Sequence, residues 1–370
     1  MQLLNSPQSQ LDNTSTGQLL NVLQDIVCKI EIKSDFSIYH PDYKPLELPS
    51  QIIERFQKMP TQMQQKYLSL QLRSFLYGIY YNGSMRTALA LNGEGNALPL
   101  DLENNTILGI DISFYEQLHE SNCGEGYFDP GWSVIREEID DSLAVTKGGL
   151  RLHIQRHKHL QTIEQAAVVG DIVAIRMPKN RVQNGFYMAV GNLGFPGLTN
   201  PKNSLVTVRS YFNLTPEGAV EVMRSLTQML NDLAIYFSFK VLYNPKDYGR
   251  HDSGVLYFDK SDYPVVREVL EIVYRENKLH FQPEIPLFTM QLQPGLGLAE
   301  EPDQKFAEHE SFGMNRCQIV ANGLLAAWYP GDNSPAGRMQ AIRQEFSRLG
   351  IDLQRTYLNA NSEDIYQFLN

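Results

Sequence analysis

The chain has 370 residues, 42% of them apolar, and 32 Lys and Arg against 42 Asp and Glu, a net charge of −10 with an isoelectric point near 5.3. That length gives one large or two ordinary domains with a real core, and the acidic balance argues against a general nucleic-acid or membrane-surface binder. Cys28, Cys123 and Cys317 are far apart and odd in number, so they form neither a zinc spacing nor a disulfide framework and fit a reducing compartment.

Residues 1–16 are polar and read as a disordered arm. They lack a basic region followed by an apolar one, so no secretory signal is expected. No run is long enough to span a bilayer, and the expected location is the cytoplasm rather than the secreted medium. Residues 17–122 read as a helical N-terminal region. Leu19 to Ile32 is amphipathic, Ser50 caps a helix carrying Ile52, Ile53 and Phe56, and Thr61 caps one carrying Met63, Tyr67, Leu70, Leu72, Phe75 and Tyr80. Asn82-Gly83 and Asn92-Gly93 mark loops.

From Cys123 the texture changes to short strand-like runs, and 123–330 reads as an α+β domain. Lys147-Gly148-Gly149 between two such runs is a hairpin turn. Leu205 to Leu292 organises this domain: a strand to Asn213; Thr215-Pro216-Glu217 capping a helix with Ala219, Val222, Met223, Leu226, Met229, Leu230 and Leu233; strands at Ile235–Tyr243 and Gly254–Phe258; a helix from Pro264 to Asn277; and a last strand at Leu287–Leu292. The order is β-α-β-β-α-β, a split βαβ core in a mixed sheet. Gln293 to Pro302 reads as a glycine-rich turn running into acids. Ser311 caps a helix to Trp328, and 331–370 reads as a helical extension with helices at Pro335–Leu349 and Ser362–Leu369.

There is no G-x-x-x-x-G-K-[ST], which speaks against a P-loop enzyme. Arg151, His153, Arg156, His157, Lys158 and His159 form a basic run that reads as a solvated sheet edge or, alternatively, a metal site. The cations that stand out are Lys147, Arg176, Arg209, Lys240, Arg250 and Arg316, each in or beside an apolar strand or a helix start. Alternation puts Lys240 on one face with Ser238 and Leu242, and Arg209 with Thr207, Tyr211 and Asn213. Cations gathered on one sheet face bind phosphate or carboxylate, arginines bidentately. A lysine among arginines can serve as a base. β-Elimination of a phosphorylated Ser or Thr needs that pair of functions; an ion-pair network writes the same residues.

The motifs Arg209-Ser-Tyr-Phe-Asn-Leu-Thr-Pro-Glu-Gly218, Phe239-Lys-Val-Leu242, Tyr248-x-Arg-x-Asp-x-x-Val-Leu-Tyr257, Pro294-Gly-Leu-Gly-Leu-Ala-Glu300 and Ser311-Phe-Gly313-x-x-Arg316-Cys317 resemble the HopA-type family of type III secretion effectors, from about Tyr67 to Trp328. Related proteins accompany class V lanthipeptide biosynthesis and are regarded as phosphoserine/phosphothreonine lyases. The resemblance implies Lys240 as base, with Arg209, Arg250 and Arg316 as phosphate contacts; Lys147 and Arg176 stand beside them as candidate phosphate contacts on residue type and strand position alone. It also implies a histidine acid just before Arg316, where this chain has Asn315; His251 or Tyr248 then stands in as acid. The expected partners are a phosphorylated precursor peptide and a peptide kinase, with no cofactor or metal. The alternative reading is a non-enzymatic effector-like protein that binds peptide or protein.

Overall fold

The computed structural model describes residues 7–91, 106–107, 109–195 and 206–369. Its elements, in chain order, are α1 (Pro7–Lys29), β1 (Glu31–Ile32), β2 (Ile38–His40), β3 (Tyr43–Leu46), α2 (Ser50–Gln57), α3 (Thr61–Leu76) running into a π-turn at Tyr77–Tyr81, β4 (Thr106–Ile107), β5 (Ile110–Asp111), α4 (Ile112–Ser121), β6 (Tyr127–Glu137), β7 (Ser142–Lys147), β8 (Leu150–Gln155), α5 (Arg156–His159) and β9 (Ile172–Met177). There follow β10 (Asn180–Gln183), β11 (Phe186–Val190), β12 (Thr207–Phe212), α6 (Pro216–Asp232), β13 (Phe237–Leu242), β14 (Gly254–Asp259), α7 (Tyr263–Asn277), β15 (Met290–Gln293), β16 (Leu296–Glu300), α8 (Phe312–Trp328) and α9 (Pro335–Arg348). The fold is α+β.

A seven-stranded sheet in the order β10-β11-β13-β14-β12-β16-β15 carries the molecule. Every pair in it is antiparallel, so the sheet is not mixed in direction. The inner order β13-β14-β12-β16 is that of a split βαβ core. The fourth strand of that core is Leu296–Glu300, the stretch that reads in sequence as a turn; the expected strand near Leu287–Leu292 is displaced to Met290–Gln293 and forms the sheet edge. The reason is local. Gly295 takes φ +76°, and a Cβ there would meet the Gln282 carbonyl at 2.1 Å, so Pro294-Gly295 turns the chain and the apolar residues after it return as a strand. Asn92-Gly93 and part of the loop expected at 191–201 lie outside the described residues.

One face of the sheet packs on α6 and α7. The α6 stripe Ala219, Val222, Met223, Leu226 and Leu230 is fully buried against Phe237, Phe239, Leu256 and Phe258. Thr215 accepts from the Gly218 amide at the cap, as its sequence signature requires. The opposite face packs on α3, the π-turn and α8, with Phe75, Tyr81, Phe312 and Val320 against Tyr211, Val255 and Ala299. Ser311 caps α8 and Ser334 caps α9, whereas Pro49 and Pro60, not Ser50 and Thr61, hold the cap positions of α2 and α3. A separate four-stranded sheet, β8-β7-β6-β9, has its own small core around Trp132, Val145, Ile154 and Ile175. Its hairpin pairs Lys147 with Leu150 across Gly148 and Gly149, both at positive φ.

Two terminal expectations change. Helix α1 begins at Pro7, inside the stretch that reads as an arm. Residues 362–369 are not helical. They lie extended along the sheet, where Leu369 bonds back to Leu292, Tyr366 gives its hydroxyl to Glu300 at 3.0 Å and Gln293 reaches the Leu369 carbonyl at 2.8 Å.

Candidate functional site

The three central strands β12, β14 and β13 set Arg209 opposite Tyr257 and Tyr257 opposite Ser238, two residues along from Lys240. Side chains two apart share a face, and all three therefore point to the α3/α8 side. The Tyr257 ring lies between the two cations: the Arg209 guanidinium is 5.0 Å from its centroid and the Lys240 amine 5.5 Å. Phe186 on β11 repeats the arrangement one strand further out, with Lys240 at 4.5 Å and Arg250 at 5.8 Å. The sequence Arg209, Tyr257, Lys240, Phe186, Arg250 is thus a row of cations interleaved with aromatic faces, a favourable arrangement for guanidinium and ammonium alike.

Each cation has a distinct set of partners. Arg209 pairs through Nε and Nη2 with Glu301; burial opposes its charge, but Tyr257, Tyr211 and Glu301 outweigh it and hold the proton above the ordinary arginine range. Arg250 grips Asp252 through Nε at 2.6 Å and Nη2 at 3.0 Å. Burial works against its charge too, and Asp252 more than compensates. Asp252 is held in turn by the Asn82 amide at 3.2 Å and the Tyr77 hydroxyl at 3.4 Å, so the π-turn and the loop after it fix the 250–252 loop. Lys240 donates to Gln183 at 3.2 Å and meets no carboxylate within ion-pair distance among the described residues. The site offers a lysine and two arginines, each arginine with its Nη1 free of a described hydrogen bond. That is chemistry for an oxyanion with a base beside it.

The other expected residues lie elsewhere. Arg316 is 1% exposed, and its guanidinium is consumed by the Thr356 carbonyl at 2.8 Å, the Leu358 carbonyl at 2.9 Å and Asn315 Oδ1 at 2.6 Å. Burial pushes it down to about 10. It anchors the C-terminal tail and has no face to give a phosphate. Asn315 is buried in the same network, donating to Gln304 and Glu310. Lys147 and Arg176 belong to the small sheet, where Lys147 pairs with Asp129 at 2.7 Å and Arg176 bonds the Glu125 carbonyl. Tyr248 gives its hydroxyl to the Leu242 carbonyl and packs edge-on against Phe114 on the α6/α7 face, opposite Lys240. His251 turns under Gly83 and lines a different cavity; burial first, then Arg86, lowers its proton affinity. The basic run 151–159 is largely structural: Arg156 ties Glu137, Asp141 and the Gln165 and Ala167 carbonyls together. Among the described residues no group of three His, Cys, Asp or Glu is placed to hold a metal, and no helix is long and apolar enough to cross a membrane.

Sequence reasoning about charges missed Tyr257, Phe186, Gln183 and the paired Asp252 and Glu301. A signal existed for two of them: Asp252 and Tyr257 are fixed positions of the Tyr248–Tyr257 motif. The Ser311-Phe312-Gly313 motif also finds its reason, since a Cβ on Gly313 would come within 2.3 Å of the Tyr81 ring, which packs over the start of α8.

Among curated proteins none matches the chain. Two solved structures are similar to it: an effector protein of Pseudomonas syringae pv. tomato strain DC3000, 17% identical with a TM-score of 0.40, and one of Pseudomonas syringae pv. syringae strain 61, 15% identical with a TM-score of 0.40. Each alignment covers 68% of this chain and 81% of the other. Residues 177–358, which carry Arg209, Lys240, Arg250 and the aromatic faces between them, match the family described as the HopA1 effector protein family.

Proposed function

We propose that this HopA1-like domain is a phosphoserine/phosphothreonine lyase that eliminates phosphate from a kinase-modified precursor peptide, giving dehydroamino acids in lanthipeptide-type biosynthesis. The observation that carries this reading is the placement of Arg209 and Lys240 on either side of the Tyr257 ring, with Lys240 free of a carboxylate and Arg250 one aromatic face away. In this reading the phosphate is held by Arg209 beside Lys240, through the Nη1 that carries no described hydrogen bond, and Arg250 adds positive charge from one aromatic face away. The Lys240 amine, in its neutral form, takes the Cα proton; the C–H electrons become the Cα=Cβ bond, the Cβ–O bond breaks, and its electron pair leaves on phosphate. The arginines stabilise the charge that grows on that oxygen. In the same reading Tyr257, whose ring lies beside both cations, takes the part expected of His251, Tyr248 or residue 315 and hydrogen-bonds the leaving group through its hydroxyl. No cofactor enters this scheme.

The test is mass spectrometry of a phosphothreonine peptide after incubation with the protein. Loss of about 98 Da, the mass of phosphoric acid, supports the reading, since it removes the whole leaving group in one step. Loss of about 80 Da means hydrolysis of the phosphate ester and overturns it. An unchanged peptide that is nonetheless bound assigns the cationic row to recognition alone.

A further inference from the structure

The largest cavity described, about 790 Å³, lies on the other side of the 250–252 loop from the cationic row. We infer that it is a docking site for an extended, uncharged stretch of polypeptide flanking the phosphorylated residue, an inference that rests on the lyase reading only for the identity of that polypeptide. The loop is a shared wall. Arg250 turns toward Phe186 on one side, and His251 lines the cavity on the other, its amide tied to the Asn82 carbonyl at 2.9 Å.

Two observations point to a ligand. First, Phe288 in the wall holds φ +73°, a conformation that bulky L side chains rarely adopt and that gathers at functional sites; the Thr356 hydroxyl pins its carbonyl at 2.9 Å. Second, the lining divides by chemistry. Leu19, Val22, Ile285, Phe288, Met290 and Phe368 make apolar walls, while Gln18, Asn21, Gln291 and Gln354 contribute four side-chain amides with no partner among the described residues. A primary amide offers the donor and acceptor that a peptide group needs, and apolar pockets take alternate side chains of an extended chain.

The charges in the wall exclude a second phosphate site. Arg86 and Arg355 are matched by Glu284 and Asp364, leaving no net cation to select an anion. The volume also falls within the range of ordinary ligand pockets. Taken with its position behind Arg250, the cavity holds the peptide while the cationic row holds the phosphate, so recognition and chemistry are separable.

The experiment is selection of a displayed random dodecapeptide library on the intact wild-type chain, followed by fluorescence anisotropy of the enriched, unphosphorylated peptides. Enriched sequences should carry apolar residues at alternate positions. Their affinity should fall at least tenfold in Val22→Trp and in Ile285→Trp, which fill the cavity from different segments, and about threefold in Gln291→Ala, while Lys240→Ala binds as wild type does. Because binding is read without phosphate, it stands or falls independently of elimination. No enrichment, or binding to both tryptophan variants within twofold of wild type, overturns the proposal, as does a loss of binding in Lys240→Ala. Enriched peptides that bind equally well when scrambled also overturn it, since they report non-specific adhesion.

Discussion

Arg209 and Arg316 come from the first and the last of the five motifs, and both side chains are largely shielded from solvent, yet they serve opposite ends. Arg209 spends two nitrogens on one carboxylate and lies over the Tyr257 ring. Arg316 spends its donors on two backbone carbonyls and an amide inside the protein. What separates a binding arginine from a structural one here is which partners take its donors. Carboxylate partners leave a guanidinium edge free for a further anion, whereas carbonyls on several sides leave nothing.

The sharpest way to break this comparison is Lys240→Ala. Elimination should fall by about 10³-fold or more, with the urea midpoint unchanged, measured as turnover of a phosphothreonine peptide; surviving turnover moves the base elsewhere. Arg316→Met should do the reverse. It strands two buried carbonyls and should cost about 3 kcal/mol in urea denaturation, with hydrogen exchange rising in residues 356–369 and turnover per folded molecule retained. Arg209→Lys keeps the charge and loses the fork, so turnover should drop about tenfold or more, roughly 1.4 kcal/mol in the transition state, and little stability should be lost.

A smaller effect concerns protons. Because burial lowers the proton affinity of His251, the unfolded chain takes up a proton first as pH falls below about 6.5. Stability is therefore full above that value and declines below it, at no more than about 1.4 kcal/mol per pH unit, until the folded histidine titrates too. His251→Gln should flatten that limb in denaturation curves taken at several pH values, leaving the part due to His40 and His119, which burial shifts the same way. Smallest of all, Lys147→Ala removes a partly exposed pair with Asp129 and should cost less than about 1 kcal/mol with no change in turnover.

Helical periodicity and caps were legible in the chain because they are local. The α6 stripe and the Thr215, Ser311 and Ser334 caps needed only a few consecutive residues. The facing of Arg209 and Lys240 was legible in part, since alternation sets each on a side of its own strand, but their shared side depends on Tyr257, a residue of the strand that pairs between them. Arg316 and Tyr248 could not be sorted in advance. Their partners, Thr356, Leu358 and Leu242, are backbone carbonyls, which carry no sequence identity. Leu296–Glu300 escaped for a different reason: Gly295 just before it and Gly297 within it read together as a turn, and only packing against β12 and Thr289 makes Gly297 a strand residue.

The C-terminal tail has a consequence for how the chain is made. Arg316 waits for carbonyls 40 and 42 residues downstream, and the buried Glu300 for Asn359, Ser362 and Tyr366, the last of them 66 residues on. At about 5–20 residues per second, translation leaves Arg316 without its partners for roughly 2–8 seconds. For that interval the nascent domain holds a guanidinium with only Asn315 to accept from it and a carboxylate with only Lys260 beside it, next to a nearly complete sheet. Its last cooperative step must follow synthesis of the tail, and until then the β15 side of the sheet is available to pair with another nascent chain.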